Sequence, residues 1–487
     1  MSNPQTILFG AISDQQIVNP YLEILERQKA SFKQRGISIY KQRKDNLTRL
    51  QKAVIQYKDL LIEAIQSDFG HRSPHETIVS EVLAVAAEAA SHKYKLKKWM
   101  KIKKVPFSMQ VAGAKGKVMY QPKGVVGILG AWNYPVATIF SPLIGVLGAG
   151  NHCMIKPPDL TPALGEVVKE LIDSIFDEEH VTVITGDVND AVLFTELPFD
   201  HIMFTGGTVI GQKVMMAAAK NLTPVTLEMG GKSPVIISCN YSIEKAVDRL
   251  LMGKCVNSGQ TCIAPDYIFL PKEKEEEFVN YITACYAKRY PILVNNKDIT
   301  WIINDRHYQR ILGLIDDARD KGANIIQVNP QNETIPDGIR VIPPTIITDV
   351  ADDMAIMQQE IFGPVLPVKT YKHINEAIQY IKDGPRPLAL YYFDEDKQSA
   401  DEVLSKTISG CACVNDTMLQ IAHANLPFGG SGPSGLGRYH GFDGFVEFSH
   451  KKGVLYQHSR FSISKFVKAP YPAKALKVIN FFAKLIQ

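Results

Sequence analysis

The sequence predicts an α/β protein: a doubly wound parallel sheet with helices on both faces, followed by a second α/β unit. Two observations predict it. Short β runs at 125–129, 152–156, 181–185, 201–204 and 225–227 alternate with helical stretches at 135–147, 162–175, 191–197 and 209–220, the rhythm of repeated βα units. In addition, the chain has 487 residues of which 45% are hydrophobic, enough apolar side chain for more than one core and far from the composition of a disordered chain.

The elements follow in order. From 18 to 105, Leu22, Leu25, Leu47, Leu50, Val54, Leu61 and Ile65 recur at helical spacing among Lys, Arg and Gln, which predicts helices. Residues 81–90 are rich in alanine and suited to tight packing. Seven lysines between Lys93 and Lys104 read as a solvated face, with Leu96 and Trp99 turned inward. Residues 108–121 change to alternation, with Val111, Val118 and Tyr120 flanking Gly113 and Gly116, and predict a β-hairpin. The βα units come next. Beyond 230, helices fit 243–253, 273–289 and 305–321, and strands fit 267–270, 325–328 and 365–368. The chain closes with a glycine-rich stretch, 429–437, and an amphipathic helix with Leu476, Ile479, Phe482 and Ile486 on one side. That helix is expected to dock on the protein, with weak association to a membrane surface as the alternative.

Several function classes are excluded at this level. Lys and Arg number 54 against 50 Asp and Glu, too balanced for a chain that grips nucleic acid through its overall charge. Residues 124–155 contain no Asp, Glu, Lys or Arg, long enough for a membrane span. Two prolines and six glycines within them instead describe a strand, a turn and a buried helix. The first residues lack the basic region of a secretory signal. The seven cysteines are scattered and odd in number, which points to a reducing, cytoplasmic setting. Cys411 and Cys413 lack zinc-site spacing, so no metal is expected.

Five local features carry possible chemistry. Cys262 ends the small, polar run Asn257-Ser258-Gly259-Gln260-Thr261, where a thiolate could meet a substrate; an isolated cysteine is also a common core filler. Glu228 follows a buried strand and precedes Gly230-Gly231, as a base or as a paired structural carboxylate. Asn133 lies where the first strand passes into a helix, the ligand-binding edge of a parallel sheet; its amide could hold an oxyanion or cap the helix. Phe204-Thr205-Gly206-Gly207-Thr208-Val209-Ile210-Gly211 reads as strand, turn and helix start, suited to a pyrophosphate. Glu360-Ile361-Phe362-Gly363-Pro364 sets a carboxylate beside an aromatic ring and a turn.

Taken together, and in this order, these features resemble the aldehyde dehydrogenase superfamily. The motifs are Trp-Asn133-Tyr-Pro, Ile-Lys156-Pro, Phe-Thr-Gly206-Gly207, Leu-Glu228-Met-Gly-Gly-Lys, Gly-Gln-Thr-Cys262, Glu360-Ile-Phe-Gly-Pro and Pro-Phe428-Gly-Gly. The resemblance runs from about residue 20 to 460. The ending from Leu426 to Gly441, followed by Phe448-Ser449-His450, looks like the class 3 branch, and within it the coniferyl aldehyde dehydrogenases.

The resemblance implies an NAD(P)-binding domain (1–107 and 123–229) and a catalytic domain (230–434). It further implies a small β oligomerisation element with the C-terminal helix (108–122 and 435–487), and a homodimer. It implies that Cys262 attacks the aldehyde carbon, Asn133 and the Cys262 N–H hold the oxyanion, and Glu228 activates water against the thioester. Lys156 and Asp159 would meet the adenosine ribose, Gly206, Gly207 and Gly211 the pyrophosphate, and Glu360 with Phe362 the nicotinamide ribose. Asp159 stands where the family usually has Glu, one carbon longer, so NADP is possible beside NAD. The implied activity is oxidation of aromatic, coniferyl-type, or medium-chain apolar aldehydes. Tyr134, Ile263, Tyr267, Met418 and Phe428 are candidates for an apolar tunnel. The rival readings are a semialdehyde dehydrogenase with an acidic substrate, a thiol esterase that does not use nicotinamide, and a cofactor-binding protein without turnover.

Overall fold

The structure is a computed structural model and describes residues 19–108, 111, 113–460, 462, 468–470 and 475–486. The expectations for the first residues of the chain, and for the side chains of Phe482 and Ile486, lie outside the described residues.

Three sheets organise the described residues. The first has six strands in the order Gly435–Leu436, Val225–Glu228, His201–Thr205, Val125–Leu129, His152–Lys156, Val181–Val183. All neighbours are parallel except the short Gly435–Leu436, which runs antiparallel to Val225–Glu228. The chain winds outward from Val125–Leu129 in one direction and then returns to its other side at His201–Thr205. Strand order therefore reverses there, leaving a crevice at the carboxyl ends of the two strands. The second sheet has seven strands, in the order Asn324–Gln327, Thr345–Thr348, Val365–Tyr371, Tyr267–Pro271, Pro234–Ile237, Ala389–Phe393, Cys411–Val414. Only its first pair is antiparallel.

The charge-free stretch becomes the strand Val125–Leu129, the helix Ala137–Ala149 and the strand His152–Lys156. Both strands are buried throughout, and so is the helix from Ile139 to Ala149. This unit lies inside the protein, and a charge anywhere along it would lose its hydration. Each large apolar side chain buried here contributes roughly 1.5–3 kcal/mol. Leu96 and Trp99 are buried on the helix Ala84–Trp99, as the lysine-rich segment predicts. Immediately before it, Ile78–Leu83 forms a π-helical turn.

The hairpin expected at 108–121 lies partly outside the described residues, and its described strand is Lys115–Pro122. That strand pairs with Lys103–Lys104 on one side and, over its whole length, with Ser449–Tyr456 on the other. Alternation identified the strand, but a partner more than 300 residues away leaves no local mark. The C-terminal helix is present as Ala475–Ile486, yet Leu476 and Ile479 are exposed, so these two side chains are not docked on the protein. Among the described residues no helix is long and apolar enough to cross a membrane.

Candidate active site

A cavity of about 1490 Å³ runs along the carboxyl ends of the first sheet and is closed on its other side by loops of the second α/β unit, among them Glu360, Phe362 and Leu388. Nine of the sequence-predicted site residues line it: Asn133, Lys156, Asp159, Gly206, Gly207, Glu228, Cys262, Glu360 and Phe362. Gly211 does not. A Cβ there would sit 2.5 Å from the Met229 sulfur, so this glycine lets the helix Thr208–Ala219 pack on the sheet.

Cys262 follows a tight, strained turn. Asn257, Ser258 and Gly259 are consecutive residues with φ of 53°, 50° and 73°. Two non-glycine residues in the left-handed region cost on the order of 1–3 kcal/mol each, so surrounding bonds must hold them. The Asn257 N–H donates to Glu76 Oε1 at 2.7 Å, and its side-chain amide donates to the carbonyls of Asn133 (2.9 Å) and Gln260 (3.1 Å). The Gln260 amide donates to Asn257 O at 3.0 Å and Trp301 O at 3.1 Å. At Gly259 a Cβ would lie 2.4 Å from Gly363 O. Cys262 opens onto the cavity, but apolar walls and the carboxylates of Glu360 and Glu228 push its thiol well up. A thiolate therefore needs an added cation, dipole or base to form.

Asn133 is not the helix cap. It lies before the helix, and its buried amide donates to Gln260 O at 3.1 Å. Its NH₂ group is thereby aimed at the segment that leads into Cys262.

Glu228 ends its strand with its backbone fully engaged, its carbonyl accepting from Gly206 N–H at 2.9 Å. Its carboxyl is buried, and neither oxygen has a hydrogen-bond partner. Burial, with the charge of Glu447 adding and Arg438 opposing, holds it well above the ordinary value of 4.5. An unpaired carboxyl with a raised pKa, facing a cavity, can act as a base once it is ionised and is a poor structural anchor.

At the far end, Gly207 stands at the N-terminus of the helix Thr208–Ala219, and a Cβ there would meet nothing within 4 Å. The backbone donors of that first turn therefore open directly onto the cavity, as a pyrophosphate requires. Lys156 donates to Gly186 O at 2.8 Å and Pro157 O at 3.0 Å, with burial lowering its pKa, while Asp159 is exposed at the rim. Glu360 folds back over Gly230, where a Cβ would lie 2.2 Å from its carboxylate. Burial and the nearby Asp266 push Glu360 up to about 8. Phe362 takes a left-handed φ of 52° and meets Trp132 edge-on, ring centroids 5.4 Å apart.

Of the proposed tunnel residues, Tyr134, Ile263, Met418 and Phe428 line the cavity. Tyr267 does not, because it is buried in the core of the second sheet beside Phe269 and Tyr380. The sequence reading missed the support beneath Asn133. Arg72, fully buried, donates to Glu81 Oε1 at 2.8 Å and to Asn133 O at 3.2 Å, and its guanidinium lies over the Tyr134 ring at 4.9 Å. Only a charged pair inside an otherwise apolar helical segment could have pointed to it.

Residues 21–454 match the aldehyde dehydrogenase family. A probable coniferyl aldehyde dehydrogenase of Caulobacter vibrioides is 45% identical over 439 residues, covering 89% of this chain and 90% of that protein. The substrate-bound AldH of Staphylococcus aureus superposes with a TM-score of 0.87 at 35% identity, covering 94% of this chain and 98% of that one. The betaine aldehyde dehydrogenase of the same organism, solved in complex with NAD⁺, gives 0.81 at 25% identity over 91% of this chain and 89% of its own.

Proposed function

Because the chain belongs to the aldehyde dehydrogenase family, we propose that Cys262, Asn133 and Glu228 are the catalytic residues of an NAD(P)-dependent oxidation of aldehydes to carboxylic acids. The observation that carries this reading is the Glu228 carboxyl, buried with both oxygens unpaired on the wall of the cavity that also holds Cys262 and Asn133.

Glu228, directly or through a water, takes the proton of the Cys262 thiol, and the sulfur adds to the aldehyde carbon. The thiohemiacetal oxygen becomes negative as the C–S bond forms. It is held by the Asn133 amide and the Cys262 N–H, a donor pair of the kind worth about 3–4 kcal/mol at a transition state. The nicotinamide cofactor, held by the residues named below, would supply the acceptor for the hydride that leaves this carbon. Once it has released that first proton to solvent, Glu228 draws a proton from water as the water oxygen attacks the thioester, and the C–S bond breaks to release the acid while Glu228 returns a proton to the sulfur.

Lys156 and Asp159 meet the adenosine ribose, Gly206 and Gly207 with the first turn of their helix hold the pyrophosphate, and Glu360 and Phe362 position the nicotinamide ribose. The open space above Gly207 and the cradle that Gly230 leaves for Glu360 support this placement. Asp159, shorter than Glu and exposed, leaves room for a 2′-phosphate, so NADP serves as well as NAD.

The substrate is an aromatic aldehyde of the coniferyl type or a medium-chain apolar one. Support comes from the relative named above and from the aromatic walls Phe428 and Tyr439. Glu88, which lines the same region, opposes a semialdehyde with an acidic tail. Residues 1–107 and 123–229 form the cofactor domain and 230–434 the catalytic domain, with 108–122 and the tail after 435 serving oligomerisation. Within that tail, Gly435–Leu436 joins the cofactor sheet. Ser449–Tyr456, at the edge of its three-stranded sheet, offers unpaired backbone for a homodimer. The exposed Leu476 and Ile479 permit weak contact with a membrane surface, and seven unpaired cysteines suit the cytoplasm.

The test is absorbance of the reduced nicotinamide across an aldehyde panel, with NAD and NADP run in parallel. Turnover of aromatic and medium-chain aldehydes is expected, and no reduced nicotinamide with any aldehyde would overturn the reading.

A further inference from the structure

One pair of titratable groups on the cavity wall has no part in the reaction or in holding the cofactor as read above. Glu88 and His440 both line the cavity, on the helix Ala84–Trp99 and in the loop before the helix Gly441–Glu447. Their side chains are 10% and 11% exposed, with His440 Nδ1 4.0 Å from Glu88 Oε1. That separation is too long for a hydrogen bond. Glu88 Oε1 is buried and has no hydrogen-bond partner at all.

An unpaired carboxylate oxygen nine-tenths out of water costs free energy unless something completes it. The neighbouring backbone shows that this arrangement is held in place. His440 takes a left-handed φ of 76°, unfavourable for a residue with a Cβ. Its ring is wedged against Tyr439 and Phe428, with centroids 4.5 and 5.5 Å away. Tyr439 connects this pair to the chemistry. Its hydroxyl feels the charges of Glu228, Glu88 and Cys262 together, and all three line the same cavity as Tyr439.

We propose that Glu88, with His440 beside it, is a specificity site that accepts the hydrogen bond of a phenolic hydroxyl carried on the far side of an aromatic aldehyde. The proposal rests on the aldehyde dehydrogenase reading and adds the polar group the substrate must carry. The chemistry selects a neutral O–H donor on a flat ring. Phe428 and Tyr439 supply faces for the ring, the alanines 84 and 87 leave it room, and the waiting oxygen is an acceptor. An ammonium group would also satisfy a carboxylate, but it would have to lose its hydration among these apolar neighbours and stand beside a histidine that can itself be a cation.

The experiment compares kcat/KM for 4-hydroxy-3-methoxycinnamaldehyde, 3-methoxycinnamaldehyde and an aminoaldehyde, in the wild type and in Glu88→Leu. The wild type should favour the hydroxylated aldehyde over its deoxy analogue at least tenfold, and Glu88→Leu should bring that ratio to within twofold of one. A ratio near one in the wild type, a ratio retained in Glu88→Leu, or an aminoaldehyde whose kcat/KM alone falls in the variant would each overturn the proposal. If Glu88→Leu does not fold, inhibition of the wild type by 4-hydroxycinnamyl alcohol against cinnamyl alcohol asks the same question. Equal inhibition by the two overturns the proposal. Absence of reduced nicotinamide from every aldehyde is a different failure, that of the dehydrogenase reading, and direct binding of the two alcohols followed by tryptophan fluorescence, which needs no turnover, separates the two.

Discussion

Inside the protein, with no exposure of either side chain, Arg72 Nη1 donates to Glu81 Oε1 at 2.8 Å. The same nitrogen reaches the carbonyl of Asn133 at 3.2 Å. The other Glu81 oxygen accepts from Val136 N–H at 2.7 Å and Ala137 N–H at 3.0 Å. A single ion pair thus fixes the turn that carries Asn133 and the start of the helix behind it, where a negative charge also meets the positive end of the helix dipole.

Removing one partner leaves the other charged and buried. Arg72→Met should destabilise the protein by about 3–5 kcal/mol, whereas replacing both residues by apolar ones should recover much of that loss. Urea unfolding of the two single variants and the double variant measures it. An Arg72→Met variant of wild-type stability would show that the pair carries no such load.

Cys262→Ala should lower turnover by roughly 10³-fold or more while leaving cofactor affinity near that of the wild type. Steady-state kinetics with cofactor titration by fluorescence checks both halves. Strong residual turnover would move the nucleophile to another group.

Glu228→Gln separates acylation from hydrolysis. If Glu228 serves mainly the second step, the variant gives a first burst of reduced nicotinamide and then turns over slowly. Stopped-flow absorbance resolves the two phases, and loss of the burst would assign Glu228 to thiol activation.

The same carboxyl sets a pH dependence. Its folded pKa lies well above 4.5 because of burial, so the folded protein keeps the proton that the unfolded chain gives up. Stability from the neutral form is complete below about pH 4.5 and is lost as pH rises towards the folded value, at a limit of about 1.4 kcal/mol per pH unit. Glu228→Gln removes that loss. Its melting temperature relative to wild type should therefore climb with pH, and a difference that stays flat from pH 4 to 9 would contradict the burial argument.

Gly230→Ala places a methyl group 2.2 Å from the tip of Glu360. The tip of a side chain yields more easily than backbone, so the fold should survive while the cofactor KM rises several-fold through the displaced carboxylate. A variant that loses its melting transition would show that the backbone had to move instead.

The first sheet and the helices of the second unit were legible in the sequence because their patterns are local. Burial on both faces strips charge from 124–155, and a solvated face keeps its lysines, whatever lies elsewhere in the chain. The site's chemical groups were likewise legible, since the ordered motifs that hold Cys262, Glu228 and Glu360 are short and rich in glycine. The packing of Gly211 and Tyr267 and the partners of Lys115–Pro122 were not, because the choice between ligand, core and strand partner depends on what arrives from far along the chain. Met229 fills the space beside Gly211, Tyr380 packs on Tyr267, and Ser449–Tyr456 pairs with Lys115–Pro122. Glu88 and His440, separated by 352 positions and brought to 4.0 Å, belong with these. Sequence by itself determined which chemical groups the protein carries and which segments must be buried. Tertiary structure alone decided which groups meet and which acceptor stays unpaired, because desolvation and hydrogen bonding depend on every neighbour at once.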